Sequence, residues 1–203
     1  MYKIAIVILS FSMATFAQTA NRSSKAKSSK SGNTADSMFL KKAAQGNMAE
    51  VAMGKLATQN AQSEDVKKFG QRMVDDHTKA EQDLEGVASK NNWTVPQDVN
   101  AQQKAEQQKM EKMNGAAFDR AYMAMMVKDH TKDVAEFKKE ANSTTANADL
   151  RDYAKRTYPT LDDHLTNAKA VNDALPKTGA KSGKKHAKPT AASASGGTGL
   201  LLI

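Results

Sequence analysis

Val66-Lys-Lys-Phe-Gly-Gln-Arg-Met-Val-Asp-Asp-His-Thr-Lys-Ala-Glu-Gln-Asp-Leu84 sets Val66, Phe69, Met73, Ala80 and Leu84 at intervals of three, four and seven, and Val87 continues the series. Apolar residues at that spacing trace one face of an α-helix. His77 completes the stripe, four residues after Met73 and three before Ala80. A histidine on the inner face of an amphipathic helix, rather than beside it, has to be explained by the core it enters.

The flanking sequence places this helix in a hairpin. Upstream, a helix is expected from residue 36 to about 62. Phe39, Ala43, Gly46, Glu50, Gly54, Ala57 and Ala61 share one face of it, and Leu40, Ala44 and Val51 widen that face. Its many small residues predict close packing against a neighbour, and Glu50 is a carboxylate on that inner face. Ser63-Glu-Asp-Val66 is the boundary, with Ser63 expected to cap the second helix and Glu64 and Asp65 suited to its positive end. So short a turn makes the two helices antiparallel. The second helix is expected to end near Asn91, before Trp93-Thr-Val-Pro96, with Trp93 covering one end of the core.

A polar, Gln- and Lys-rich segment over residues 97–113 predicts a short surface helix acting as a crossover. Gly115 breaks it, and Phe118-Asp-Arg-Ala-Tyr122 opens a third long helix with the inner stripe Met123, Met126, His130, Val134, Phe137 and Ala141. A polar loop over residues 142–147 leads to the fourth. That helix aligns Leu150, Tyr153, Thr157, Leu161, His164, Ala168, Val171 and Leu175, and Pro159 inside it is expected to kink it or interrupt its hydrogen bonding. Val66, Phe69 and Asp76-His77 find an echo in Leu150, Tyr153 and Asp163-His164, a weak internal repeat.

Outside this region the chain changes character. Residues 1–17 read as a cleavable signal peptide, with an apolar run behind Lys3 and small residues at Thr15 and Ala17, too short for a good membrane span. Residues 18–35 form a Ser/Lys-rich linker and residues 176–203 a Lys/Gly/Ser/Ala-rich tail, both expected to be disordered; nothing in the sequence accounts for the terminal Leu200-Leu-Leu-Ile203. The bundle domain is expected over residues 36–175, in the periplasm or secreted. The chain has no cysteine, so the fold rests on its apolar core and any metal site on His, carboxylate or Met.

The net charge of +8 belongs to the tails. Residues 36–175 hold 20 Lys and Arg and all 22 Asp and Glu. A mildly acidic domain without a basic stripe or zinc-finger spacing does not read nucleic acid. The basic tails suit weak, salt-sensitive contact with anionic envelope polymers or lipid headgroups. Oligomeric state is not encoded in any of these features.

Asp76-His77, Asp129-His130 and Asp163-His164 put three Asp-His dipeptides on three helices. Counting about 1.5 Å per residue, Glu50, His77, His130 and His164 all lie roughly 17–24 Å from the hairpin loops, near the middle of a bundle about 40 Å long. Four polar side chains at one level of a bundle core suit a single divalent metal ion, with imidazole and carboxylate favouring zinc, copper or iron. The same residues could equally form a metal-free buried His/Asp/Glu network that only holds the fold together. The methionines Met48, Met53, Met73, Met123, Met125 and Met126 read as core filler.

Ala49-Glu50-Val51, Met73-Val-Asp-Asp-His77-Thr78, Phe118-Asp119-Arg-Ala-Tyr122 with Asp129-His130, and Pro159-Thr-Leu161 with His164 together resemble the bacterial domain of unknown function 4142 family. The resemblance covers residues 36–173. It implies an exported, all-α protein similar to ferritin-like four-helix bundles, with a short extra helix in the crossover and no settled activity. Di-iron carboxylate proteins of that architecture use Glu-x-x-His. Here Val74, Val127 and Leu161 stand three residues before the histidines, so a ferritin-type di-iron centre is not expected. No nucleophile elbow, phosphate loop or Ser-His-Asp order points to an enzyme. The competing expectations are a metal-binding envelope protein, a non-catalytic structural or interaction module, and an enzyme using that metal, which would need an open coordination position and a substrate pocket that the sequence does not show.

Overall fold

The computed structural model describes residues 34–177. The signal peptide, most of the linker and nearly all of the C-terminal tail expected from the sequence lie outside the described residues. Five helices make up the fold: α1 (Thr34–Asn60), α2 (Glu64–Asn91), α3 (Ala101–Met110), α4 (Gly115–Ala141) and α5 (Ala148–Ala174). No strand occurs among the described residues, and none of their helices is long and apolar enough to cross a membrane. The all-α expectation holds.

α1 and α2 form one hairpin and α4 and α5 the other, and α2 also packs on α5 and α1 on α4. α3 lies over α1 and α4 as the crossover. The first hairpin is close-packed because two glycines face each other. A Cβ on Gly54 would stand 2.5 Å from the carbonyl oxygen of Gly70, and one on Gly70 would stand 2.5 Å from the Cβ of Ala57. Gly115 begins α4 with φ of +59°, a left-handed conformation that glycine adopts at little cost.

The apolar core falls into two halves. One gathers Phe39, Leu84, Phe137, Leu150 and Tyr153, with Trp93 packed against it, as expected. The other gathers Met53, Val66, Met73, Phe118, Tyr122 and Met126. On every long helix the switch from one half to the other brackets a buried polar residue: Asn47 and Glu50 on α1, His77 on α2, His130 on α4 and His164 on α5. The bundle therefore has a polar layer between two apolar ones.

One sequence expectation gives way to another solution. Ser63 is the N-cap of α2, but its side chain makes no capping bond. The carboxylate of Asp119, near the start of α4, instead accepts from the backbone amides of Gln62 and Ser63, each at 2.9 Å. At the other end of the bundle Asp36, in the first turn of α1, accepts from the amide of Asn147 at 3.1 Å. Each hairpin thus ties down the loop of the other. Pro159 lies inside α5, which runs as one helix past it although the proline has no N–H to donate. The missing N–H is tolerated because buried Tyr153 and Ala154 on one side, and Leu161, His164 and Leu165 on the other, hold the helix against the core.

Candidate metal centre

His77, His130 and His164 project into the polar layer from α2, α4 and α5, and all three are buried. The sequence expectation that they converge is met. Their ring centroids stand 5.7 Å (His77–His130), 5.4 Å (His77–His164) and 5.3 Å (His130–His164) apart. One ligating nitrogen of each lies within 4.8 Å of one on each of the others. Nitrogens sharing a tetrahedral zinc ion at about 2.0–2.1 Å stand about 3.3 Å apart, so modest rotation of the rings would close the group on an ion.

The protein fixes which nitrogen each ring offers. His130 Nδ1 faces the backbone carbonyl of Met126 at 3.0 Å, and His164 Nε2 faces Asp76 Oδ2 at 2.8 Å. Both partners only accept, so both ring nitrogens carry the proton. His77 Nδ1 lies 3.0 Å from Asn47 Oδ1, whose orientation is set because Asn47 Nδ2 donates to Glu81 at 3.0 Å. His77 Nδ1 therefore donates as well. What remains is His77 Nε2, His130 Nε2 and His164 Nδ1, each buried and without a hydrogen-bond partner. In the neutral rings these are three bare lone pairs.

The rings are held neutral. Burial, and after it His130 and His164, keep His77 well below the usual imidazole range. Burial and His164 bring His130 down to about 4. Burial also lowers His164, against the opposing pull of Asp76. Neutral imidazole is the ligating form. A carboxylate, an amide oxygen and a backbone carbonyl on the far nitrogens are the partners that orient metal-bound histidines and raise their basicity.

Asp76 is itself held. Arg72 Nε stands 3.2 Å from Asp76 Oδ2, and Arg72 Nη2 stands 2.6 Å from Asp163 Oδ2. The acidic residues preceding His77 and His164 in the chain are thus joined through one guanidinium. Glu50, the carboxylate expected beside the histidines, lies outside their group. It is buried on α1, where the charges acting on it are Asp133 and Asp129. Asn47, three residues earlier, takes the place against His77. Its position, four residues after Ala43 on the inner face, was a signal available in the sequence.

A family model described as Domain of unknown function (DUF4142) matches residues 21–171. The chain belongs to the DUF4142 family. No curated protein and no solved structure matches it. The matched part of this DUF4142 domain takes in all three histidines, Asn47, Arg72 and Asp76, and so contains the whole polar layer.

Proposed function

We propose that this DUF4142 domain is a ferritin-like four-helix bundle, with α3 in the crossover, that binds a single first-row divalent ion through His77, His130 and His164. One observation carries the reading: three neutral imidazoles, each oriented by a separate acceptor, leave three buried, unpartnered nitrogens facing one small volume. A water molecule has two protons to give and cannot serve three lone pairs, whereas a metal ion accepts all three. Imidazole ligands suit zinc, copper and iron(II). The metal-free alternative, in which the polar layer only ties helices together, uses the Asn47–His77 and Asp76–His164 bonds but leaves those three nitrogens unserved. With its signal peptide, the protein would meet its metal in the periplasm or outside the cell.

The test is metal analysis of tag-free protein, followed by titration of the stripped protein with zinc, copper and iron(II) while its thermal unfolding is followed. An ion that binds the native state alone adds ~2.7 kcal/mol of stability at a hundredfold excess over its dissociation constant. His77→Ala should abolish that increment. A histidine that serves packing alone would lower the baseline stability and leave no metal-dependent increment to lose. No thermal shift with any of the three ions would end the metal reading and leave a polar-layered structural bundle.

A further inference from the structure

Beside the histidine trio, and separate from it, a crevice of about 270 Å3 opens between α1, α3 and α4. Glu50, Glu106, Asp129, Asp133 and Glu136 line it, against the cations Lys42 and Lys132. Both lysines are engaged at the rim, Lys42 2.6 Å from Glu136 and Lys132 3.7 Å from Asp129. Glu50 differs from the other four. It is 5% exposed, and its Oε2 is buried without a hydrogen-bond partner. The charges that act on it are Asp133 and Asp129, both negative. A buried carboxylate among like charges has two ways to lower its energy: take up a proton or take up a cation. Burial and those neighbours already push Glu50 well above the usual carboxylate range, and burial pushes Asp133 up to about 7.

The layout favours the cation. Asp129 and Asp133 are one turn apart on α4 and so share a face, and Glu50 faces them from α1. Carboxylates from two helices around open space are the oxygen set that magnesium, calcium and manganese(II) prefer, in contrast to the all-nitrogen trio. We propose that Glu50, Asp129 and Asp133 form a second cation site, for a hard divalent ion such as manganese(II).

Asp133 also borders a smaller chamber of about 20 Å3, whose wall includes Gly46, Asn47 and His77. That is room for about one water molecule. The crevice and the chamber share Lys42, Gly46, Asp133 and Glu136 in their walls.

Manganese(II) alone, followed by electron paramagnetic resonance on the metal-free full chain, tests the site. One saturable equivalent is expected, and Glu50→Gln and Asp133→Asn should each weaken it at least tenfold. Both substitutions keep shape and remove only charge, so neither variant should melt below the parent. Undiminished binding in either variant would overturn the site. So would a clear loss of metal-free stability, because it would mean the carboxylates are already satisfied within the protein. Preloading with one equivalent of zinc separates the two sites: a bundle with both takes manganese(II) as before. One-for-one displacement would reduce them to a single site and overturn the proposal. If the trio binds no zinc, the manganese(II) titration of the metal-free chain still decides the carboxylate site.

Discussion

Asp76 is the sequence neighbour of His77, yet its carboxylate hydrogen-bonds His164 across the α2–α5 interface, 2.8 Å from Nε2. Arg72, one turn earlier on α2, holds Asp76 from behind and reaches Asp163 on α5 as well. The Asp-His pattern along the chain is therefore exchanged in space: the acidic residue of one helix orients the imidazole of another.

Because Asp76 fixes the tautomer and the angle of His164, Asp76→Ala should weaken metal binding by about 10–100-fold, the usual effect of removing such an orienting partner. Competition against a chromophoric chelator with zinc would measure it. An unchanged affinity would show that His164 is oriented by packing alone.

Asp133 provides a pH signature. Its carboxyl stays protonated in the folded protein up to about 7, whereas an ordinary unfolded aspartate ionises near 3.9. Between those values the folded state holds the extra proton. The contribution of Asp133 to stability is thus present in acid and is lost as pH rises towards 7. Asp133→Asn mimics the protonated form, so its advantage over the parent should grow from pH 4.5 to pH 7 and then level off. Urea unfolding of the metal-free proteins at pH 4.5, 6 and 8 checks this; an advantage independent of pH would refute it.

Asp119 should be structural. It accepts from two amides at the α1–α2 turn and is itself 3% exposed, so Asp119→Ala leaves two part-buried donors without their partner. A loss of about 2 kcal/mol is expected in urea unfolding. Metal affinity should not change, because Asp119 lies at the end of the bundle, away from the polar layer.

The glycines separate packing from helix propensity. Gly54→Ala puts a methyl group into the carbonyl of Gly70 and should destabilise by about 1–3 kcal/mol. Gly86 is exposed on α2, and a methyl group added there would meet nothing within 4 Å, so Gly86→Ala should gain about 0.5–1 kcal/mol. Thermal melts of the two variants shifting in the same direction would contradict both expectations.

The long helices were legible in the sequence because the three-and-four spacing of Val66, Phe69 and Met73, and of Met123, Met126 and His130, is set by the helix itself. The meeting of the histidines could be inferred from their depth along the helices. The partners could not. Whether Asn47 or Glu50 faces His77 depends on the rotation of α1 about its axis, which the close approach of Gly54 to Gly70 helps set between two helices at once. The cap from Asp119 and the bond from Asp76 to His164 are contacts between distant parts of the chain. Local pattern fixes a residue's face and leaves its long-range partner open. At Pro159 a backbone donor is missing, and packing on both sides accompanies the helix across the gap.

The reciprocal ties of Asp36 and Asp119 imply a register. With Asp36 superposed on Asp119, Phe39 falls on Tyr122, Leu40 on Met123, Glu50 on Asp133 and Asn47 on His130. The register joins α1 and α4 only, for His77 and His164 stand four residues out of it. In the polar layer α2, α4 and α5 each contribute an imidazole and α1 contributes the amide of Asn47. On α1 an amide stands where the register would put an imidazole, and its oxygen is the acceptor that orients His77.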